Sequence, residues 1–156
     1  MTEQIVIRQA SDADRDFVVA HVPSLLEFGS PTWRDAEALA PGFGNALSRA
    51  LSNQGARATV LIAQTGDGAS LGFISLRVVD SIEGGERGHV ADLAVTDRAR
   101  GMGVGTALMK AAEAWARERD FELLGLDVWS TNRAALGFYE RLGYSVDSLT
   151  LVKRLG

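Results

Sequence analysis

The chain has 156 residues, 46% hydrophobic and 23% charged, the balance of one globular unit that buries about two thirds of its unfolded surface. A formal net charge of -4 gives no global basic field for nucleic acid or an anionic membrane, and the absence of cysteine removes disulfides, thiolate zinc sites and a thiol nucleophile. Residues 1–16 lack the apolar core of a signal peptide and no later stretch is long enough to cross a bilayer, so a cytoplasmic location is expected.

Residues 5–8 predict a short strand. Ser11, with Asp14 three residues on, opens a helix that Pro23 must kink or end, because proline lacks the amide hydrogen and crowds the preceding turn. A second capping signal at Thr32 and Asp35 leads into Trp33, Ala36, Leu39 and Ala40 at helical spacing. Residues 41–44, Pro-Gly-Phe-Gly, are expected to interrupt that helix before residues 45–51 resume it. The β-rich runs 59–65 and 71–79, joined through Gly66-Asp67-Gly68, read as an antiparallel hairpin, and a glycine-rich acidic loop follows at 81–88. Residues 89–95 predict a strand. Beyond a glycine run, Val104, Leu108, Ala111, Ala112 and Trp115 form one helical stripe while Lys110, Glu113 and Arg117 face water. Residues 123–128 read as a strand, 132–142 as a short helix ended by Gly143, and 144–153 as one or two closing strands. The order describes an α/β layer domain with a mixed sheet.

Residues 89–106, HVADLAVTDRARGMGVGT, carry the chemistry: a strand, a turn, then alternating glycines opening an amphipathic helix. Glycines let the backbone turn and approach a ligand, and the amides of a helix start attract phosphate oxygens. Arg100 adds a full positive charge. Two nucleotide motifs with this logic fail here. The phosphate loop of nucleotide hydrolases needs Gly-Lys-Ser/Thr, whereas Gly105 precedes Thr106 and Ala107, and the dinucleotide fingerprint fails at Thr106 and at Leu108.

Arg100-x-x-Gly103-x-Gly105 instead resembles the Arg/Gln-x-x-Gly-x-Gly/Ala signature of the GNAT superfamily of N-acetyltransferases. Residues 132–144, NRAALGFYERLGY, resemble that family's second signature, and the likeness covers about residues 56–155. It implies an α/β (α+β) fold with a mostly antiparallel sheet of six to seven strands, splayed open around an acyl-CoA cleft, and about four helices. The whole chain would be one N-acetyltransferase domain, with acceptor-side helices at about 11–55 and an acetyl-CoA-binding core at about 56–156. The resemblance further implies acetyl-CoA as co-substrate and no metal. The main chain of Leu93, Ala94 and Val95 would pair with the pantetheine arm, Arg100, Gly101, Met102, Gly103, Val104, Gly105 and Thr106 would hold the pyrophosphate, and Asn132, Phe138, Tyr139 and Arg141 would complete the cleft. Strand addition is the physical counterpart, since the arm's amides want backbone partners.

In the family Tyr139 stands at the acid position. The base is less defined, because many members carry a glutamate where this chain has Ala91. Strand alternation places His89 on the face of Ala91 and Leu93 and turns Asp92 away, making His89 the first candidate and Glu86, or Glu83, acting through water, the second. Deprotonation by the cleft and water alone is the third alternative.

Residues 23–44, with Phe28, Trp33 and Phe43 as an aromatic wall, and the loop 80–88, with Asp80, Glu83 and Glu86, are the expected acceptor walls. The acceptor is then an amine of a small molecule or protein, and no nucleic acid or membrane partner is expected. The closing strands offer a surface for a homodimer. Two rival readings are a non-catalytic acyl-CoA-binding or sensing module and a plain nucleotide-binding α/β protein.

Overall fold

The computed structural model describes residues 4–27 and 30–156. Strand β1 (Ile5–Gln9) is followed by a 3-10 turn at Asp12–Asp14 and the short helices α1 (Arg15–Ala20) and α2 (Val22–Leu26). The start is fixed by charge. Arg8 grips the buried Asp14 carboxylate at 2.8 Å through each terminal guanidinium nitrogen, and the Ser11 amide donates to the same group. The hydrogen bonds from Arg8 hold the Asp14 carboxyl below the usual range. The helical segment breaks at His21, with Pro23 in the first turn of α2, where its missing amide hydrogen costs no ladder bond.

Helix α3 (Ala36–Ser52) runs straight through Pro41, contrary to the expected interruption at residues 41–44. Its apolar side explains why. Leu39, Ala40 and Phe43 before and beside the proline, and the buried Leu47 and Leu51 beyond it, pack into one core, and tertiary packing outweighs local propensity.

Strands β2 (Ala58–Thr65), β3 (Ser70–Asp80) and β4 (Glu86–Val95) form an antiparallel meander, with the expected hairpin between β2 and β3. Helix α4 (Val104–Arg117), strand β5 (Leu124–Leu126) and helix α5 (Arg133–Arg141) follow. Sheet order is β1-β2-β3-β4-β5, antiparallel except for the parallel β4–β5 pair.

The mixed, open sheet agrees with the expected class, but the described residues hold five strands and five α-helices, not six to seven strands and about four helices. The missing strands are those expected at 144–153. Residues 145–156 form no regular structure and are exposed throughout, and no strand among the described residues pairs with them.

The sheet separates two cores. One face, through Ile74, Leu76 and Val90, packs on α4 with Leu108, Met109, Ala112 and Trp115. The other, through Val60, Ile62, Phe73 and Ala94, packs on α1 to α3 with Val18, Val22, Leu26 and Leu47.

Candidate active site

Two features of β4 build the site. The first is a bulge: Ser75 of β3 pairs with Asp92, but the next residue, Leu76, pairs with Val90, leaving Ala91 without a partner. An extra residue reverses the alternation beyond it. Val90 and Leu93 therefore both pack toward α4, and Ala94 toward α1 to α3. His89 and Asp92 share the face opposite α4, which corrects the assignment of His89 to the face of Leu93 with Asp92 turned away.

The second feature is the splay. β4 and β5 pair only from Gly88 to Val90 against Leu124 to Leu126, so the edge of β4 beyond Val90 opens on that side. Thr96 donates to the Leu71 carbonyl of β3 at 2.8 Å. By alternation the Ala94 main chain also faces β3, while the amides and carbonyls of Leu93 and Val95 point into the opening.

At the end of β4 the chain passes a 3-10 turn at Asp97–Ala99 and two left-handed glycines, Gly101 at φ 77° and Gly103 at φ 82°. An L side chain at such φ costs about 1–2 kcal/mol, so these two positions call for glycine. Gly103 is the N-cap of α4 and brings no capping side chain. The helix ladder begins with Ala107 donating to the Gly103 carbonyl at 3.0 Å, so the amides from Gly103 to Thr106 precede the ladder and have no acceptor within it. Val104 is buried and anchors the turn, while Met102 beside it is 41% exposed. Arg100 lies next to this turn, 3.1 Å from Asp97 and 3.8 Å from Glu27.

Gly105 has a different reason. A Cβ there would sit 3.2 Å from the Phe138 ring, so its lack of a side chain lets α5 close against the start of α4. The two sequence signatures meet at this contact. Asn132 caps α5, its side-chain oxygen accepting from the Ala135 amide at 3.1 Å, which leaves its NH2 group available. Tyr139 is half-buried between Phe138 and Tyr144, with ring centroids 5.0 and 6.0 Å away, and burial pushes its hydroxyl up to about 12. Arg141 lies exposed in the last turn of α5.

The face opposite α4 carries the titrating groups. Burial raises the Asp92 carboxyl from 3.8 to about 6, partly offset by Arg77. His89 is 7% exposed, and burial lowers its imidazole, against the attraction of Asp127. Its Nε2 lies 3.4 Å from Asp127 and its buried Nδ1 has no hydrogen-bond partner among the described residues. Glu86 is drawn off to Arg57 at 2.6 Å, and Glu83 is hydrogen-bonded by the Ser81 hydroxyl in the β3–β4 turn. That turn lies a full strand from Val95, about 30 Å at ~3.3 Å per residue. The expected acidic loop is thus remote from the glycine turn.

A cavity of about 510 Å³ does open beside that turn, between Pro23, Leu26, Ala36 and Ala40 on one wall and Val95 and Asp97 on the other, with Glu27 and Glu37 also lining it. This matches the expected 23–44 wall in place but not in residues. Phe43 packs into the core, and Phe28 lies outside the described residues. Trp33 instead stacks on Arg34, whose guanidinium lies 4.3 Å from the Trp33 ring and 5.2 Å from Trp129 in the β5–α5 connection. Asp92, Asp127 and the Arg34–Trp129 contact were not singled out by the sequence. The bulge hides the first, Asp127 reaches His89 from just beyond β5, and the last needs two loops distant in sequence to meet. Among the described residues no group of three or more acidic or histidine side chains could hold a metal ion, and no helix is long and apolar enough to cross a membrane.

A glycine turn at a helix start beside a strand edge left unpaired joins an anion-binding site to a row of open backbone groups. A sequence profile of the acetyltransferase (GNAT) family matches residues 26–144, and the chain belongs to that family. It is 40% identical over 103 residues to aminoglycoside N(6')-acetyltransferase type 1 of Klebsiella aerogenes, covering 64% of this chain and 68% of that protein. It is 37% identical over 91 residues to a mycothiol acetyltransferase of Propionibacterium freudenreichii, but spans only 29% of that protein's length and 58% of its own. In three dimensions its fold is similar to that of a protein of solved structure from Pyrococcus furiosus, with a TM-score of 0.79 at 24% identity, covering 97% of this chain and all of that one. Relatives named as N-acetyltransferases mark the chain as an acetyltransferase enzyme.

Proposed function

We propose that the chain transfers an acetyl group from acetyl-CoA to a primary amine of a small molecule or protein. A small cationic amine is the acceptor class favoured here. The observation that carries this reading is the opening between β4 and β5 directly beside the left-handed Gly101 and Gly103. The backbone edges of Leu93 and Val95, the amides of Gly103 to Thr106, the Arg100 charge and the Asn132 amide are the groups that would hold the donor. Acetyl-CoA would supply an acetyl group activated as a thioester.

The acceptor must lose a proton first. With a pKa of ~10.4, only about one amine in a few thousand is a free nucleophile at pH 7. Asp92, held near pH 6 on the acceptor face, is ionised at neutral pH and can take that proton at its carboxylate. The neutral imidazole of His89 is the second acceptor of protons on this face, and Glu86, held by Arg57, is the least suited. Tyr139 stays protonated through the physiological range and can donate at its hydroxyl. Glu27, Glu37 and Asp97 around the cavity favour a cation, and a relative named for aminoglycosides supports the same class.

The test is thiol release from acetyl-CoA in the presence of an aminoglycoside, a polyamine, a lysine-containing peptide and a peptide with a free N-terminus. Amine-dependent release with at least one of them is expected. Binding of acetyl-CoA without release to any amine would favour the non-catalytic module instead.

A further inference from the structure

Five buried side-chain nitrogen or oxygen atoms have no hydrogen-bond partner among the described residues, and three of them gather at one place: Nε of Arg34, Nε of Arg87 and Nδ1 of His89. Folded chains rarely leave buried polar atoms unmatched, so a group of them calls for a reason. All three sit around residues 125–129, the end of β5 and the start of its connection to α5. His89 pairs with Gly125, and its Nε2 lies 3.4 Å from Asp127. Arg87 shares the face of His89 by alternation, and a Cβ at Gly125 would sit 3.2 Å from its guanidinium carbon. Arg34 reaches the same stretch from the α2–α3 connection, 5.2 Å from the Trp129 ring. Four residues of chain span at most about 14 Å.

Neither arginine makes an ion pair among the described residues. The acids beside them are engaged elsewhere. Asp35, the N-cap of α3, accepts from the Glu37 amide at 3.0 Å, and Asp127 holds His89. The Trp33 and Trp129 rings attract the Arg34 charge but supply no oxygen for its N–H donors. Arg77, exposed and paired with His89 across β3 and β4, adds a third guanidinium to this face. Burial lowers the His89 imidazole, and the charges of Arg77 and Arg87 lower it further against the pull of Asp127. The Arg77 charge is likewise felt at Asp92, the carboxylate placed above to take the amine's proton.

We infer that the acceptor carries an anionic group, a carboxylate or a phosphate, besides its amine, and that Arg34 and Arg87 receive it. A guanidinium presents its N–H donors as a planar fork, with Nε–H as one prong, and both anions match that fork with two oxygens. A hydroxyl in the same place would satisfy one donor and leave the charge unanswered, and a second ammonium would be repelled. The inference rests on the acetyl-transfer reading and narrows it. The ammonium end of the acceptor meets Asp92, while its other end meets the guanidiniums around residues 125–129.

The test is a panel of primary amines, in an ethyl and a hexyl series, ending in a carboxylate, a phosphate, a hydroxyl or a second ammonium and assayed by thiol release from acetyl-CoA. The carboxylate- or phosphate-ended amine should exceed its hydroxyl-ended counterpart ~10-fold or more in kcat/KM, chiefly through KM. Arg34→Gln and Arg87→Gln should each bring that ratio toward one, and the anion with the larger ratio names the group. Equal values for anionic and hydroxyl ends, or a preference for the second ammonium, would overturn the inference while acetyl transfer stands. A second measurement needs no turnover: the two anionic amines are titrated into the chain and followed by tryptophan emission, since Trp33 and Trp129 both touch Arg34. A saturable change that Arg34→Gln abolishes is expected, even if no amine of the panel releases thiol and the transfer reading alone fails. Emission indifferent to both anions would overturn the anion site whatever the turnover.

Discussion

Replacing Asp92 by Asn should stabilise the fold and weaken the enzyme, and the sign can be worked from the site. Burial on β4 raises the Asp92 carboxyl from 3.8 to about 6, so the folded state binds its proton more tightly than the unfolded chain does. Below pH ~4 the carboxyl is neutral in both states and nothing is lost. Between pH ~4 and ~6 the unfolded chain gives up the proton first, stability falls as pH rises, and above pH ~6 the whole penalty is present. Two pKa units correspond to about 3 kcal/mol. Asn has the shape of the neutral acid and never ionises, so Asp92→Asn should recover up to that amount at pH 7.5, or roughly 6 to 12 °C in melting temperature for a chain of this length. The assay is a pair of thermal melts of both proteins at pH 4 and pH 7.5. A gain confined to the higher pH is expected. An equal effect at both values, or a loss at pH 7.5, would refute the buried-carboxylate reasoning.

For the same proton, kcat/KM for an amine acceptor should show an acid limb with apparent pKa near 6, absent in Asp92→Asn; a profile flat from pH 5 to 7 would take Asp92 out of the chemistry. Tyr139→Phe should lower turnover ~10²-fold with little change in melting, and a wild-type rate would remove the hydroxyl from the mechanism. Gly103→Ala forces an alanine to φ 82° and should cost about 1–2 kcal/mol together with donor affinity, so unchanged melting and binding would speak against the strained turn. Asn132→Ala removes the α5 cap and should cost ~1 kcal/mol, read by denaturant melts.

Much of this fold is local and therefore readable in the chain. The β2–β3 hairpin declares itself through Gly66-Asp67-Gly68, α4 through its apolar stripe, and the glycine turn through residues 100–106. The break before α2 follows from Pro23, whereas Pro41 misleads because packing by Leu39, Phe43, Leu47 and Leu51 holds α3 together. Asp92 is the instructive miss. Alternation from His89 turns it to the other face of the sheet, and only the pairing of Ser75 with Asp92 and Leu76 with Val90 reveals the extra residue that turns it back beside His89. A bulge is a property of two strands together. The 144–153 segment reads as strand for the same local reasons, yet strand formation needs a partner edge, and no strand among the described residues pairs with it. Arg34, Trp33 and Trp129 meet only because two loops distant in sequence converge.

Donor binding is the most direct measurement: the melting temperature with saturating acetyl-CoA, set against equal concentrations of ATP and NAD. At 100 times its dissociation constant acetyl-CoA should add ~2.7 kcal/mol, roughly 5 to 10 °C, while ATP and NAD leave the transition where it was. No shift with acetyl-CoA, or an equal shift with all three, would contradict the assignment of residues 100–106 and the β4–β5 opening to an acetyl-CoA site.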